Sequence, residues 1–117
     1  MKLLDTDAIL EMLREKKYEY GAISVITLIE TLRGVNPKKR DEVKKLLEES
    51  FKVIDLDNSI IRTYCDLYQR LKEEGSQIPD ADLIIAATAI THNMTLRSKD
   101  RHFLRLREIG LKLETTR

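Results

Sequence analysis

The sequence predicts an α/β fold in which helices cover both faces of a central, mainly parallel β-sheet. Short apolar runs alternate along the chain with longer stretches of helical periodicity. Strands separated by helices of this length are typical of parallel sheets, because each helix returns the chain to the edge where the next strand begins. The connections are short and no linker interrupts the pattern, so we expect one domain spanning residues 1–117.

The first half of the chain opens with a short buried strand, "KLL", and a helix through "AILEMLREKK". In "AISVITLIETLRG" we predict a strand up to about Ile23, followed by a helix that Ser24 caps and Gly34 ends. A charged amphipathic helix follows in "NPKKRDEVKKLLEESF", with Pro37 in its first turn. "KVIDL" is then a second clear strand.

The second half begins with a long helix in "NSIIRTYCDLYQRLKEEG", where apolar residues recur at helical spacing and Gly75 marks the end. The segment "IPDADLIIAATAITHN" is dominated by small and apolar residues, which predicts a helix buried on most sides. "MTLRS" follows as a strand, "DRHFLRL" as a short helix and "LKLET" as the last strand.

Composition argues against several classes of protein. The 21 basic and 20 acidic residues give a formal net charge of +1, which is unlike a general binder of polyanions. A single cysteine, Cys65, allows no disulfide framework within the chain, and two histidines argue against a histidine-based metal cage. No segment reaches the roughly 18 apolar residues of a membrane helix, and the N-terminus lacks a signal-peptide pattern. The cytoplasm is therefore the expected compartment.

Acidic side chains gather near one predicted edge of the sheet. Asp5 and Asp100 each follow a predicted strand, and right-handed crossovers bring the helix start with Asp80 and Asp82 to the same edge. Glu30 lies inside the apolar "VITLIETL", where a charge needs compensation. Converging carboxylates repel one another, and a divalent cation cancels that repulsion. Oxygen ligands favour Mg²⁺ or Mn²⁺, which predicts hydrolysis of phosphodiesters by a metal-activated water.

Several of these residues also have simpler explanations. Asp5 and Asp7 are both candidate caps of the first helix, with Asp7 favoured as the cap and Asp5 as a member of the cluster. Asp80 or Asp82 is expected to cap the buried helix, with Asp80 favoured. Asp100 is placed to cap "RHFLRL". Of the two histidines, His92 is expected near a helix C-terminus at the surface, and His102 is expected to be exposed. The acidic cluster is thus a hypothesis that depends on its members meeting in space.

Four segments together resemble the PIN-domain family, and within it the small VapC-type toxins of bacterial and archaeal toxin–antitoxin pairs. These segments are "LLDTDAIL", "ISVITLIETLRG", "IPDADLIIAATAITHNMTL" and "SKDRHFLRL", and they span almost the whole chain. The resemblance implies that Asp5, Glu30, Asp82 and Asp100 are catalytic residues that hold Mg²⁺ or Mn²⁺. It also implies an α/β/α PIN fold, ribonuclease activity, a homodimer and inhibition by a cognate VapB-type antitoxin.

Two hydroxyl-bearing residues, Thr6 and Ser98, match positions that flank the acidic quartet in this family. The resemblance implies that they orient carboxylates or metal-bound water. Relatives often have threonine where Ser98 stands, and glycine where this chain reads "HNM"; Asn93 is able to adopt the same left-handed turn. Asp7 occupies a position where asparagine or serine is also common, so its charge is expected to be dispensable.

Single-stranded or looped RNA is the expected substrate, because in-line attack needs a backbone that can enter a pocket. Glu30 is expected to bind metal directly or through water and to help deprotonate the attacking water. The basic residues nearest to the acids in sequence are candidates for steering phosphate: Arg33, Arg97, Lys99 and Arg101.

Three alternatives stay open at this point. "KLLDTDA" also fits the strand and D-x-D motif of haloacid-dehalogenase-like phosphatases, with Asp5 as nucleophile and Asp7 as acid and base. That assignment lacks a persuasive later lysine motif and gives Glu30 no role. Asp57 after "KVIDL" fits the phosphoacceptor of a receiver domain, although Lys99 is a poor match for its lysine. A catalytically inactive PIN-like interaction module is the third, and the presence of all four acids argues against it.

Overall fold

The sheet has five parallel strands in the order β3-β2-β1-β4-β5, so the first strand of the chain lies at its centre. The structure is a computed structural model that describes residues 1–115. The strands are β1 Lys2–Leu4, β2 Ala22–Ser24, β3 Lys52–Ile54, β4 Thr95–Ser98 and β5 Lys112–Thr115. Each pair of neighbours is parallel, which confirms the predicted sheet.

Helices connect the strands and cover both faces of the sheet. They are α1 Thr6–Glu15, α2 Val25–Arg33, α3 Arg40–Ser50, α4 Asn58–Glu73, α5 Asp80–Thr91 and a 3-10 helix Arg101–Ile109. Every predicted strand and helix is therefore present, in the predicted order. Among the described residues, no helix combines the length and the apolar character needed to cross a bilayer.

The central strand sends its two leucines into two separate cores, because successive side chains of a strand point to opposite faces. Leu3 packs in a cluster with residues of α4, α5 and the 3-10 helix, among them Leu67 and Ile85. Leu4 packs in a second cluster with residues of α1, α2 and α3, among them Leu47. Both leucines are fully buried. The three layers expected from the sequence thus meet at β1.

Two helices begin differently from the sequence prediction. Asp5, not Asp7, is the N-cap of α1, and its Oδ1 accepts a hydrogen bond of 2.9 Å from the backbone N–H of Ala8. Asp7 lies exposed in the first turn of the helix. Asp80 is the first residue of α5 and makes no capping hydrogen bond. The predicted caps Asp7 and Asp80 were therefore wrong.

Other local signals were read correctly, with one exception. Ser24 caps α2 by accepting from the N–H of Ile26 at 3.0 Å, and Asp100 caps the 3-10 helix. Asn93 has a φ of 53°, the left-handed conformation predicted for it. The exception is Pro37, which lies in the turn before α3 because that helix begins at Arg40.

Truncating a core leucine of β4 should destabilise the protein far more than truncating a surface leucine. Leu96 is fully buried, whereas Leu46 on α3 is 38% exposed. We expect Leu96→Ala to lower the free energy of unfolding by about 2–5 kcal/mol, because it leaves a cavity in a packed core. The matched variant Leu46→Ala should change it by less than about 0.5–1 kcal/mol. Equilibrium denaturation in urea measures both, and equal losses would contradict the described packing.

Candidate active site

A cavity lies at the carboxyl ends of β1 and β4, where the strand order changes direction. From β1 the sheet extends through β2 and β3 on one side and through β4 and β5 on the other. Ligands of open α/β sheets bind at such switch points. The cavity has a volume of about 230 Å³. Its lining residues are Asp5, Thr6, Asp7, Leu10, Glu30, Arg33, Asp82 and Asp100.

The four acidic residues of the predicted quartet reach this cavity from four different elements. Asp5 follows β1, and Glu30 lies in the second turn of α2. Asp82 lies in the first turn of α5, and Asp100 follows β4 as the cap of the 3-10 helix. Residues separated by up to 95 positions in the chain are thus brought together because parallel strands end at one edge.

Asp80 lies outside the cavity, although it is only two residues from Asp82. It accepts a hydrogen bond of 2.6 Å from the hydroxyl of Tyr64, and this bond raises the pKa of that tyrosine to about 12. Residues two apart on a helix do not share a face. Of these two aspartates, Asp82 lines the cavity and Asp80 does not.

Asp5 is a buried carboxylate held by two donors. It is only 5% exposed. The N–H of Ala8 donates to it, and so does the hydroxyl of Ser98. Burial nevertheless raises the pKa of Asp5, and repulsion from Asp7 and Asp82 acts in the same direction. Asp5 thus combines two roles that the sequence treated as alternatives, a helix cap and a member of the acidic cluster.

Ser98, the last residue of β4, also connects two members of the quartet. Its Oγ accepts a hydrogen bond of 3.0 Å from the N–H of Asp100, while its hydroxyl donates to Asp5. The residue is 1% exposed. Ser98 therefore helps to position both the carboxylate of Asp5 and the backbone at Asp100.

Asp82 and Asp100 are bridged by the imidazole of His102. The Nε2 atom lies 3.0 Å from Oδ2 of Asp82, and Nδ1 lies 3.0 Å from Oδ1 of Asp100. Burial raises the pKa of Asp82; His102 opposes this rise, whereas the charges of Asp100 and Glu30 add to it. One potential ligand atom from each of Asp82, Asp100 and His102 lies within 4.8 Å of the others.

The expectation that His102 is exposed was wrong, because its side chain is only 26% exposed and lies between Asp82 and Asp100. The sequence did hold a signal for it. The motif "DRH" directly follows a strand that ends at the ligand edge. Two residues after a capping aspartate, a side chain can fold back beside that aspartate, as His102 does here.

Glu30 is oriented by a short chain of hydroxyl groups. Oγ1 of Thr6 lies 2.7 Å from Oε1 of Glu30 and 3.1 Å from Oγ1 of Thr27. A hydroxyl carries one proton, so Thr6 donates to the carboxylate and accepts from Thr27. Thr27 is fully buried, and sequence reasoning did not identify it. Its position one turn before Glu30 on α2 was the available signal.

The basic residues near the acids fall into two groups. Arg33 lines the cavity, with its guanidinium 3.7 Å from Glu30. Arg97 pairs with Glu19 and Glu114, and Lys99 lies 2.7 Å from a carboxylate oxygen of Glu11. Arg97 and Lys99 are therefore engaged with carboxylates outside the quartet. Arg101 is exposed at the start of the 3-10 helix. Of the four candidates, Arg33 is the one that lines the cavity.

In the absence of divalent cations, Asp5→Asn should stabilise the protein at neutral pH. A folded-state pKa above the ordinary 3.8 means that the buried carboxylate favours folding when protonated, and that this contribution is lost as pH rises through the raised pKa. Asparagine removes the charge and still caps a helix well. Denaturation in EDTA should show the more stable variant at pH 7, with the difference closing as pH falls towards 3.8. A variant less stable than wild type at pH 7 would contradict this account.

Comparison with known families finds one match over most of the chain. The PIN domain profile matches residues 2–109. Ribonuclease VapC1 of Methanocaldococcus jannaschii is 38% identical over 115 residues, which cover 95% of this chain and 85% of the relative. Toxin FitB of Neisseria gonorrhoeae is 30% identical over an alignment covering 86% of this chain and 88% of the relative.

Comparison with solved structures agrees with this result. VapBC2 from Rickettsia felis, solved bound to a DNA fragment from the promoter, matches with a TM-score of 0.83 and 24% identity. The match covers 99% of this chain and 98% of that one. At this level of identity the likeness establishes the fold, including the five-stranded parallel sheet with helices on both faces.

Proposed function

Because the chain belongs to the PIN-domain family, we propose that it is a metal-dependent endoribonuclease and the toxin of a VapBC-type toxin–antitoxin pair. Residues 1–117 form its single nuclease domain. The observation that carries this proposal is the meeting of Asp5, Glu30, Asp82 and Asp100 in one cavity at the switch point of the sheet. Two relatives of this chain, one named as a ribonuclease and the other as a toxin, support the same assignment.

The side chains of this cavity suit a divalent cation. Four carboxylates face one space, and burial raises the pKa of both Asp5 and Asp82. A cation between them would relieve the repulsion that adds to those shifts. Oxygen donors of this kind favour Mg²⁺ or Mn²⁺, with Asp5, Asp82 and Asp100 as principal ligands. When bound, such a cation supplies the positive charge that activates a water for attack on phosphorus and stabilises the leaving oxygen.

The remaining groups position the reaction. Glu30 takes the proton of the attacking water, and Thr6 fixes the direction of its carboxylate by donating at 2.7 Å. Arg33 is 73% exposed at the rim, where it is free to bind a phosphate of the RNA backbone. A backbone splayed out of a helix reaches such a site most easily, so single-stranded or looped RNA is the substrate.

The competing functions have less support in the geometry. A phosphatase would use Asp5 and Asp7, which line the same cavity, but it would give Glu30, beside them in that cavity, no role. For a receiver domain, Asp57 would have to be free to accept a phosphoryl group. Asp57 instead caps α4 by accepting from Ile60, and its other oxygen lies 3.1 Å from His92. A catalytically inactive module would not explain why four carboxylates converge on one cavity.

The proposed partners are a VapB-type antitoxin and a second copy of the chain. Leu10 on α1 and Ile29 on α2 are 39% and 55% exposed beside the acidic cavity. An apolar segment of an antitoxin covering them would also block the cavity. Ile61 and Tyr68 are exposed on α4, seven residues apart and so on one face, which suits a homodimer. The cytoplasm is the compartment proposed for a protein with these partners and an RNA substrate.

Cleavage of single-stranded RNA by the purified protein tests the proposed activity. We expect cleavage with Mg²⁺ or Mn²⁺, loss of at least about 100-fold in EDTA, and recovery when the cation is restored in excess. Activity that survives EDTA would overturn the metal-dependent mechanism. A phosphorylated Asp5 trapped from a phosphate ester would favour the phosphatase instead. Co-purification with the product of a neighbouring small gene tests the proposed antitoxin. Sedimentation of the free protein tests whether it forms a homodimer.

A further inference from the structure

The imidazole of His102 has one nitrogen without a hydrogen-bond partner, and the ring lies beside Asp82 and Asp100, two of the carboxylates that line the acidic cavity. Its Nε2 is buried and lies 3.0 Å from Oδ2 of Asp82, but the direction of approach does not make a hydrogen bond. Its Nδ1 faces Oδ1 of Asp100, also at 3.0 Å. A buried polar atom in this condition is uncommon, since buried nitrogens and oxygens are normally paired.

The ring is also held in place before any ligand arrives. The backbone N–H of His102 donates to Asp100 at 3.2 Å, so both the main chain and the ring of this residue face the same carboxylate. The imidazole packs edge-on against the ring of Phe103, with centroids 4.9 Å apart and planes at 66°. Phe103 is 1% exposed and belongs to the core. The orientation of Nε2 is therefore set by the fold.

This arrangement matches the way in which histidine binds metals. A ligating imidazole commonly donates its other N–H to a carboxylate, which fixes the tautomer and the ring. With the proton on Nδ1 and directed at Asp100, the lone pair of Nε2 is left on the side of the ring that lies beside Asp82. Neighbouring ligands of an octahedral cation lie about 3 Å apart when each bond is about 2.1 Å. The 3.0 Å between Nε2 and Oδ2 of Asp82 fits such a pair.

We propose that His102 is a nitrogen ligand of this cation site and that it makes the site prefer Mn²⁺ to Mg²⁺. Imidazole nitrogen binds transition-metal ions well, whereas Mg²⁺ strongly prefers oxygen. The four carboxylates alone offer only oxygen. His102 therefore determines which of the two cations binds more tightly. The assignment rests on the proposed metal site and goes beyond it by naming a fifth donor and its effect on selectivity.

Pulsed electron paramagnetic resonance of the full chain loaded with Mn²⁺ tests this directly, without RNA and without any measure of activity. We expect nitrogen modulation from a coordinated imidazole in the wild type, and its loss in His102→Gln. The matched control is His92→Gln, which alters a histidine paired with Asp57 away from the cavity and should keep the modulation. His102→Asn, with a shorter amide, checks that loss does not come from misfolding of one variant.

Competition binding gives the second measurement. The ratio of the Mg²⁺ to the Mn²⁺ dissociation constant should fall by about tenfold in His102→Gln and stay unchanged in His92→Gln. Mn²⁺ that binds the wild type with no nitrogen modulation, or with modulation that His102→Gln retains, overturns the ligand assignment and leaves the carboxylate site standing. Failure of the wild type to bind Mn²⁺ at all overturns the proposed metal site, and the role of His102 with it.

Discussion

Asp5→Asn is expected to lower RNA cleavage by at least about 100-fold, whereas Asp7→Asn should retain cleavage within about threefold of wild type. The two substitutions make the same chemical change two residues apart, so a difference in cleavage between the variants reflects the different positions of the two aspartates. Asp5 is buried at the end of β1 and faces Asp82 across the cavity, and burial raises its pKa. Asp7 is exposed in the first turn of α1.

The physical reason lies in what asparagine keeps and what it loses. At position 5 the amide oxygen still accepts from Ala8, so α1 keeps its cap. What disappears is the negative charge, and an amide is a weaker ligand for a hard cation than a carboxylate. At position 7 the carboxylate is exposed to water at the edge of the cavity, so its replacement changes the charge beside Asp5 without removing a proposed ligand of the cation.

Single-turnover cleavage at fixed Mg²⁺ and pH measures this difference, with thermal unfolding of each variant as the control for folding. Because Asp5→Asn is expected to be at least as stable as wild type in EDTA, lost activity cannot then be attributed to lost structure. Equal losses in the two variants would remove the distinction between Asp5 and Asp7. Full activity in Asp5→Asn would remove Asp5 from the site.

Much of this architecture could be predicted because the signals for it are local. The apolar "KLL" is too short to be a helix and is followed at once by a helical pattern, which favours a parallel strand with a crossover. The small and apolar composition of the segment "LIIAATA" predicts a buried helix. Once parallel strands are accepted, the meeting of residues such as Asp5 and Asp100 at one edge follows from topology.

What the sequence could not decide depends on contacts between distant elements. In "DTD" either aspartate is able to cap a helix, and the choice of Asp5 follows from the packing of Ile9 and Met12 in the core. His102 meets Asp82 only because the 3-10 helix folds beside α5, 20 residues away in the chain. Lys99, likewise, is paired with Glu11 through a contact that no local pattern reveals.

Thr6→Val is expected to lower cleavage by about 10–100-fold, while Thr6→Ser stays close to wild type. The hydroxyl of Thr6 donates to Glu30 at 2.7 Å and accepts from Thr27. Valine preserves the shape and the branching of threonine and removes only the hydroxyl. Glu30 then loses the donor that fixes its carboxylate, and Arg33, 3.7 Å away, is left to draw it towards the rim.

The pattern of kinetic change distinguishes orientation of Glu30 from general damage. A misplaced base lowers kcat more than it raises KM, because it acts on the reaction and not on RNA binding. Thr27→Val provides the graded control: it removes the donor to Thr6 but leaves Thr6 free to donate to Glu30, so its effect should be smaller. Thr6→Val with unchanged kcat would show that Glu30 holds its position without the hydroxyl, and a Thr6→Ser variant as impaired as Thr6→Val would show that the methyl group matters instead.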